Sequence, residues 1–160
     1  MHATKNDIPQ ATRAKVVELL NARLADAIDL QTQMKQAHWN VKGPSFFQLH
    51  ELFDKINEDV EEYVDELAER AVQLGGTVTG TARAVAERSQ LSEYPRDIAT
   101  GRDHVVAVST ALAAFGKLAR RGIDQSTELR DADTADIFTE ISRGVDKWLW
   151  FVEAHLQADR

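Results

Sequence analysis

The sequence predicts an all-α fold: a four-helix bundle in which a long crossover, carrying a short helix, joins helix 2 to helix 3. Four long segments repeat apolar residues every three or four positions, and no stretch of useful length alternates as a strand does. A longer, weakly patterned connection separates the second segment from the third. The 160 residues are expected to form a single domain, residues 1–160, with a short polar tail at residues 1–11.

The first two predicted helices are separated by a stop at residues 40 to 44, which contain Gly and Pro. The first helix runs from about residue 12 to residue 38. The second starts at Ser45, a candidate N-cap that follows a proline, and ends at the glycine pair 75–76. The apolar stripe of the second helix includes Leu49, Phe53, Ile56, Val60 and Leu67.

The crossover occupies residues 77 to 93, and residues 82 to 88 are predicted to form its short helix. The third long helix is predicted to begin near Pro95, which suits a first helical turn, and to end at Gly122. The fourth follows an acidic stretch at residues 124–136. Two helices, a long connection and two more helices make the ferritin-like arrangement of a bundle.

The composition excludes several classes of site. The chain has 19 basic and 26 acidic residues, a formal charge of −7, which argues against nucleic-acid binding over its whole surface. Cysteine is absent, so a metal must be held by His, Asp and Glu. No window approaches the roughly 18 apolar residues of a membrane helix. We expect a cytoplasmic protein with no membrane partner, and a nucleoid association stays open.

The second predicted helix carries the net charge of the chain. Residues 50 to 70 contain nine acidic and two basic side chains, and the remainder of the chain is balanced. Such a run is ordinarily a solvated acidic face. Some of its acids, Glu58, Glu61 and Glu62, also suit ion pairs between helices.

Two pairs of metal-ligand residues lie on one side of this helix, His50 with Asp54 and Asp65 with Glu69. Asp54 and Asp65 are eleven residues apart, about 16 Å along a helix axis, so one helix cannot close both pairs on one ion. Two copies packed antiparallel about a two-fold axis near residues 59 and 60 would bring the pairs together. The spacing therefore favours a site between subunits.

His38, at the end of the first helix, is a further candidate nitrogen ligand, although its place in the apolar ladder also suits a core or interface histidine. Two histidines and three carboxylates suit Fe²⁺ or Mn²⁺, with Zn²⁺ as an alternative. The Glu-x-x-His pair of the standard di-iron bundle is absent from the sequence, which again favours an intersubunit site.

The run KQAHWNVKGPSFFQLHELFDKINEDVEEYVDELAERAVQLGG closely resembles the signature of the Dps family, the mini-ferritins, and the fourth helix is similar to the family too. The resemblance implies a ferroxidase centre at each two-fold interface of a dodecameric shell that stores ferric mineral, with Glu58, Glu61 and Glu62 as candidates for nucleating that mineral. It implies oxidation of Fe(II) by hydrogen peroxide in preference to dioxygen. One subunit would supply His38, His50 and Asp54, and its mate Asp65 and Glu69.

The resemblance also assigns residues around the centre. Trp39 matches a tryptophan beside it, either as an ordinary interface aromatic or as an acceptor of oxidising equivalents. The acids between the last two helices resemble a three-fold cation pore: Asp124, Glu128, Asp133 and Asp136, with Asp131. Asp131 and Asp133 equally suit an N-cap and a first-turn acid of the fourth helix.

The N-terminal tail departs from the best-known family members, whose tails carry several basic residues. Residues 1 to 13 hold only Lys5 and Arg13, with Asp7. We therefore expect weak or absent DNA binding. The alternative functions are a nucleoid protein that protects DNA by coating it, with a secondary metal site, and an acidic bundle that only mediates protein contacts.

Overall fold

The computed structural model describes residues 1–157, and its secondary structure is all helical apart from one isolated bridge. It confirms the predicted class, with four long helices and one short helix in the crossover. The helices are α1 (Gln10–Asn40), α2 (Phe46–Gln73), α3 (Ala82–Arg88), α4 (Gly101–Glu128) and α5 (Ala132–Gln157). Within the described residues, no helix combines the length and apolarity needed to cross a membrane.

The core forms where the apolar stripes of the four long helices meet. Helix α1 packs along α2, and α4 packs along α5; α1 also contacts α4, and α2 contacts α5. The largest fully buried side chains include Leu20, Leu24, Phe53, Phe115 and Phe138, all at stripe positions. Burial of these stripes is what stabilises helices of this length in water.

Polar side chains of α1 hold the crossover in place. The Asn21 amide donates to the Thr77 carbonyl at 3.0 Å and accepts from the Thr79 amide at 2.8 Å. Farther along, buried Asp26 accepts from the Gln90 amide at 2.6 Å. Because these bonds satisfy backbone groups that have no helical partner, the crossover is anchored to the bundle along its length.

The first two helices start close to their predicted positions. Helix α1 begins at Gln10, directly after Pro9, so residues 10 and 11 of the predicted tail are helical. Ser45 precedes α2 as predicted, but its side chain makes no capping hydrogen bond.

The predicted start of the third long helix near Pro95 is wrong. Helix α4 begins at Gly101, and the preceding segment is extended where Lys42 pairs with Thr100. The Thr100 hydroxyl then caps the helix by accepting from the Asp103 amide at 3.2 Å. A capping threonine with an acid three residues later is a stronger start signal than a proline.

The predicted end of that helix at Gly122 is also wrong, because α4 continues to Glu128. Gly122 is used for packing, since a Cβ there would lie 2.8 Å from the Phe138 ring. The acidic stretch 124–136, predicted as a connection, is helical except for a three-residue turn. Arg130 adopts φ 58° in that turn, which lets α5 start at once.

Candidate metal centre

The antiparallel packing of α1 and α2 brings His38 and His50 together. His38 Nδ1 lies 2.8 Å from the His50 carbonyl oxygen, and His50 Nδ1 lies 2.9 Å from the His38 carbonyl oxygen. The rings stack with centroids 3.7 Å apart at 20°. Because a carbonyl oxygen only accepts, each Nδ1 carries a proton, and in the neutral ring the Nε2 lone pair is free to bind a metal.

Asp54 lies one helical turn after His50 and completes this group. Its Oδ1 is 3.8 Å from His38 Nδ1 and 2.5 Å from Lys35 Nζ. The hydrogen bond from Lys35 lowers the pKa of Asp54, so the carboxylate is ionised and suited to a cation. The predicted ligand set rests only on the spacing of His, Asp and Glu, so it gives no role to Lys35. Its position one turn before His38 was the signal that could have found it.

Asp65 and Glu69 remain separate from the two histidines. Both are exposed one turn apart on α2. Among residues 1–157, no cluster of three His, Asp or Glu side chains is positioned to hold a metal ion. A single chain therefore brings His38, His50 and Asp54 near one another but leaves the five predicted ligands in two groups.

Trp39 follows His38 directly and lies at the surface of the chain. Its side chain is 67% exposed, with Lys35 Nζ 5.9 Å from the ring centroid. The ring lines a groove of about 1100 Å³ between α1 and the crossover, which Tyr94 also lines. The tryptophan is thus adjacent to the candidate ligand in sequence and lines a groove that Lys35, the partner of Asp54, also lines.

The acids proposed for a cation pore cluster around the turn between α4 and α5. Four of them are exposed: Asp124, Glu128, Asp133 and Asp136. Asp131 is buried instead, where it caps α5 through the Thr134 amide at 3.1 Å and pairs with Arg70 at 2.8 Å. Asp131 is therefore an N-cap, as one of the two interpretations predicted, and it does not line an open channel in this chain.

Helix α2 also carries the acids proposed for mineral nucleation, Glu58, Glu61 and Glu62, and all three are exposed. On the neighbouring face, the buried Trp148 indole donates to Asp59 at 2.7 Å and ties α5 to α2. Of the three aromatic residues near the end of α5, Trp148 is buried, whereas Trp150 is exposed and Phe151 lies against it.

Comparison with known proteins places the chain in a family. The ferritin-like domain family matches residues 17–160. The DNA protection during starvation protein of Agrobacterium fabrum is 46% identical over 156 residues, covering 98% of this chain and 96% of that protein. Identity at this level over nearly both full lengths indicates a common fold and a common ancestry.

Solved structures of similar fold support the same family. Mycobacterium smegmatis Dps superposes with a TM-score of 0.93 at 30% identity, covering 99% of this chain and 90% of that one. Dps from Microbacterium arborescens, solved in a high iron form, gives a TM-score of 0.86 at 32% identity, covering 96% and 97%. With its bundle, its crossover helix and these relatives, the chain belongs to the Dps family of ferritin-like proteins.

Proposed function

We propose that this protein is a ferroxidase that oxidises Fe(II) at centres shared between two copies of the chain and stores the product as ferric mineral inside a closed shell. Membership of the Dps family supports iron storage and DNA protection in general. One observation carries the specific proposal. His38, His50 and Asp54 lie together at one end of α2 and form half of a ligand set. Asp65 and Glu69, the other half, lie toward the opposite end of the same helix.

The two halves have the symmetry that a two-fold axis requires. The midpoint between Asp54 and Asp65 and the midpoint between His50 and Glu69 both fall between residues 59 and 60. An antiparallel copy of α2 centred there places each half against its complement. Every such interface then holds two equivalent centres, about 20 Å apart by the helix rise.

The residues present fit Fe(II) as a substrate. Imidazole nitrogen and carboxylate oxygen are ligands that divalent iron accepts, and the backbone carbonyls already orient His38 and His50. Lys35 pairs with the Asp54 carboxylate, so a cation that binds Asp54 would compete with that ion pair. Two Fe(II) ions give up two electrons, and hydrogen peroxide takes them with two protons to form two waters. Dioxygen serves as the slower oxidant.

The acids around the α4–α5 turn would supply the path for the substrate. In a dodecamer, three copies of this turn meet and make a negative ring that concentrates Fe(II). The exposed acids Asp124, Glu128, Asp133 and Asp136 are those available to it. The ferric product then moves to acids facing the interior, with Glu58, Glu61 and Glu62 as candidates.

DNA protection by this chain would work through removal of iron and peroxide, with DNA binding weak or absent. The tail is folded onto the bundle: the His2 amide donates to Gly75 at 2.6 Å, and Arg13 donates to Leu74 at 2.8 Å. Lys5 is the other basic residue there. A gel shift at about 150 mM salt should show no tight complex, since screening removes weak phosphate contacts. A tight complex would favour the coating alternative.

The test of function is anaerobic Fe(II) loading followed by stoichiometric peroxide, with ferric absorbance and hydroxyl-radical trapping as readouts. Rapid oxidation with suppressed radicals is expected, and a His50→Ala/Asp54→Ala variant should lose it. The matched control is Glu51→Ala/Lys55→Ala, which changes an exposed pair of the same spacing one residue along. Oxidation at the same rate in all three proteins would refute the proposed centre.

A further inference from the structure

A buried tyrosine–histidine pair lies outside the candidate metal centre. The Tyr94 hydroxyl oxygen is 2.7 Å from His104 Nδ1, and the two rings are nearly parallel with centroids 6.0 Å apart. Tyr94 is 7% exposed and His104 1% exposed. Tyr94 belongs to the segment between α3 and α4, and His104 to the first turn of α4, so the bond ties that segment to the helix.

The direction of the hydrogen bond follows from the surroundings. Burial raises the pKa of Tyr94, so the hydroxyl keeps its proton and donates it to Nδ1. Burial lowers the pKa of His104, while neighbouring Asp103 and the Asn40 backbone favour its charged form. The neutral ring therefore carries its proton on Nε2, on the side facing Asn40. Within the described residues, Nε2 makes no well-aligned hydrogen bond.

This pair is connected to the candidate centre by three consecutive residues at the end of α1. His38 is a candidate ligand, Trp39 lines the same groove as Tyr94, and the Asn40 backbone contacts the His104 ring. An oxidising equivalent formed near His38 thus has an indole on the next residue and a phenol that lines the same groove as that indole. The phenol has a base in hydrogen-bond contact.

We propose that Tyr94 is a one-electron donor that quenches radicals formed at the metal centre, with His104 as the acceptor of its proton. The source of the radicals rests on the proposed function. A hydroxyl radical takes one electron, through Trp39, and one proton from solvent to become water. Tyr94 supplies the electron, its O–H proton moves to His104 Nδ1, and a second Fe(II) later returns the electron as the proton returns to Tyr94.

The hydrogen bond to His104 is what makes Tyr94 suitable as an electron donor. Removing an electron alone would leave a cationic phenol in a buried site, where an uncompensated charge is costly. Transfer of the proton over a 2.7 Å hydrogen bond keeps the phenol neutral and places the charge on an imidazole beside a carbonyl and Asp103. Burial, and after it the neighbouring carboxylates, raise the pKa of the chain's other tyrosine, Tyr63, to about 12.

Tyr63 is therefore the matched control. Its hydroxyl abuts Gly144, and the groups acting on it are carboxylates rather than an imidazole. The experiment uses metal-free protein, in which azide radicals made by pulse radiolysis oxidise exposed indoles. Optical absorption should show the tyrosyl radical growing as the indolyl radical decays. The growth should be lost in Tyr94→Phe and kept in Tyr63→Phe.

The role of the base is tested in the same way. His104→Gln should slow tyrosyl growth about 100-fold, the usual effect of losing a positioned proton acceptor. Heavy water should slow it in the unmodified protein, which requires no substitution. The proposal is overturned if the tyrosyl radical still grows in Tyr94→Phe, or if neither His104→Gln nor heavy water slows its growth. Both outcomes are independent of whether the protein oxidises iron.

A second measurement separates this inference from the proposed function. After Fe(II) and peroxide, freeze-quench paramagnetic resonance should show a tyrosyl signal that Tyr94→Phe lacks while its ferric yield stays unchanged. Radiolytic transfer to Tyr94 without any iron oxidation would support the Tyr94 assignment and refute the ferroxidase. Iron oxidation with a tyrosyl signal that persists in Tyr94→Phe would support the ferroxidase and refute the Tyr94 assignment.

Discussion

Complementation between two inactive variants gives the sharpest prediction about the centre. His50→Ala/Asp54→Ala removes ligands from one end of α2, and Asp65→Ala/Glu69→Ala removes those at the other. Each variant alone leaves every shared centre with an incomplete ligand set. In a mixed two-fold pair, the first chain offers its intact acids to the second chain's intact His50 and Asp54, so one of the two centres is whole.

The size of the recovery follows from the interface. If equal amounts assemble at random, half of the two-fold interfaces are mixed, and each mixed interface has one intact centre of two. About one quarter of all centres are then restored. The activity of the mixed protein should rise to about a quarter of the unmodified rate, because each centre binds its own iron. A centre built within one chain would gain nothing from mixing.

The assay is peroxide-dependent ferric absorbance on shells made by co-expression, with their composition measured by native mass spectrometry. Shells of each variant alone give the background rate. Co-expression of His50→Ala/Asp54→Ala with the Glu51→Ala/Lys55→Ala control should also restore about a quarter of the centres through mixed interfaces, plus a quarter from control pairs. If shells shown to contain both inactive variants oxidise iron no faster than shells of either variant alone, the intersubunit centre is refuted.

Three further predictions concern the described packing and titration. Gly144→Ala should destabilise the protein by about 1–3 kcal/mol in urea unfolding, because its Cβ overlaps the Tyr63 hydroxyl, and adding Tyr63→Phe should recover part of the loss. Arg70→Met should cost about 3–5 kcal/mol at fixed protein concentration, since it strands buried Asp131 without its cation; a loss below 1 kcal/mol would contradict this. The lowered pKa of His104 means that the unfolded chain binds more protons, so stability should fall as pH drops below about 6.5, and His104→Gln should flatten that slope.

The fold was readable from the sequence because each long helix contributes one continuous apolar stripe to one core. Leu20, Phe53, Leu112 and Phe138 stand at stripe positions and are fully buried. The end of α4 was not readable. Glycine often marks the end of a helix, but Gly122 lies inside α4. The Phe138 ring of α5 packs where a Cβ of residue 122 would be. That requirement comes from tertiary packing and leaves no local signal.

The candidate site was readable only as far as helical spacing extends. The pairs at one-turn spacing, His50 with Asp54 and Asp65 with Glu69, are visible in the sequence because a helix fixes their geometry. The reciprocal bonds between the His38 and His50 rings and carbonyls depend on how α1 and α2 pack against each other. Helical spacing places Lys35 one turn before His38, but its pairing with Asp54 joins two helices and depends on the same packing.

The Tyr94–His104 pair shows how one misplaced helix start conceals a site. A helix beginning at Pro95 would put His104 nine residues beyond that proline, about 14 Å along the helix axis, and therefore far from Tyr94, which precedes the helix. No hydrogen bond spans that distance. The segment before Gly101 is instead extended and pairs with Lys42, so the chain turns before α4 begins. Only this arrangement brings the hydroxyl within 2.7 Å of the imidazole, so the capping at Thr100 that sets the helix start also makes the proposed electron donor possible.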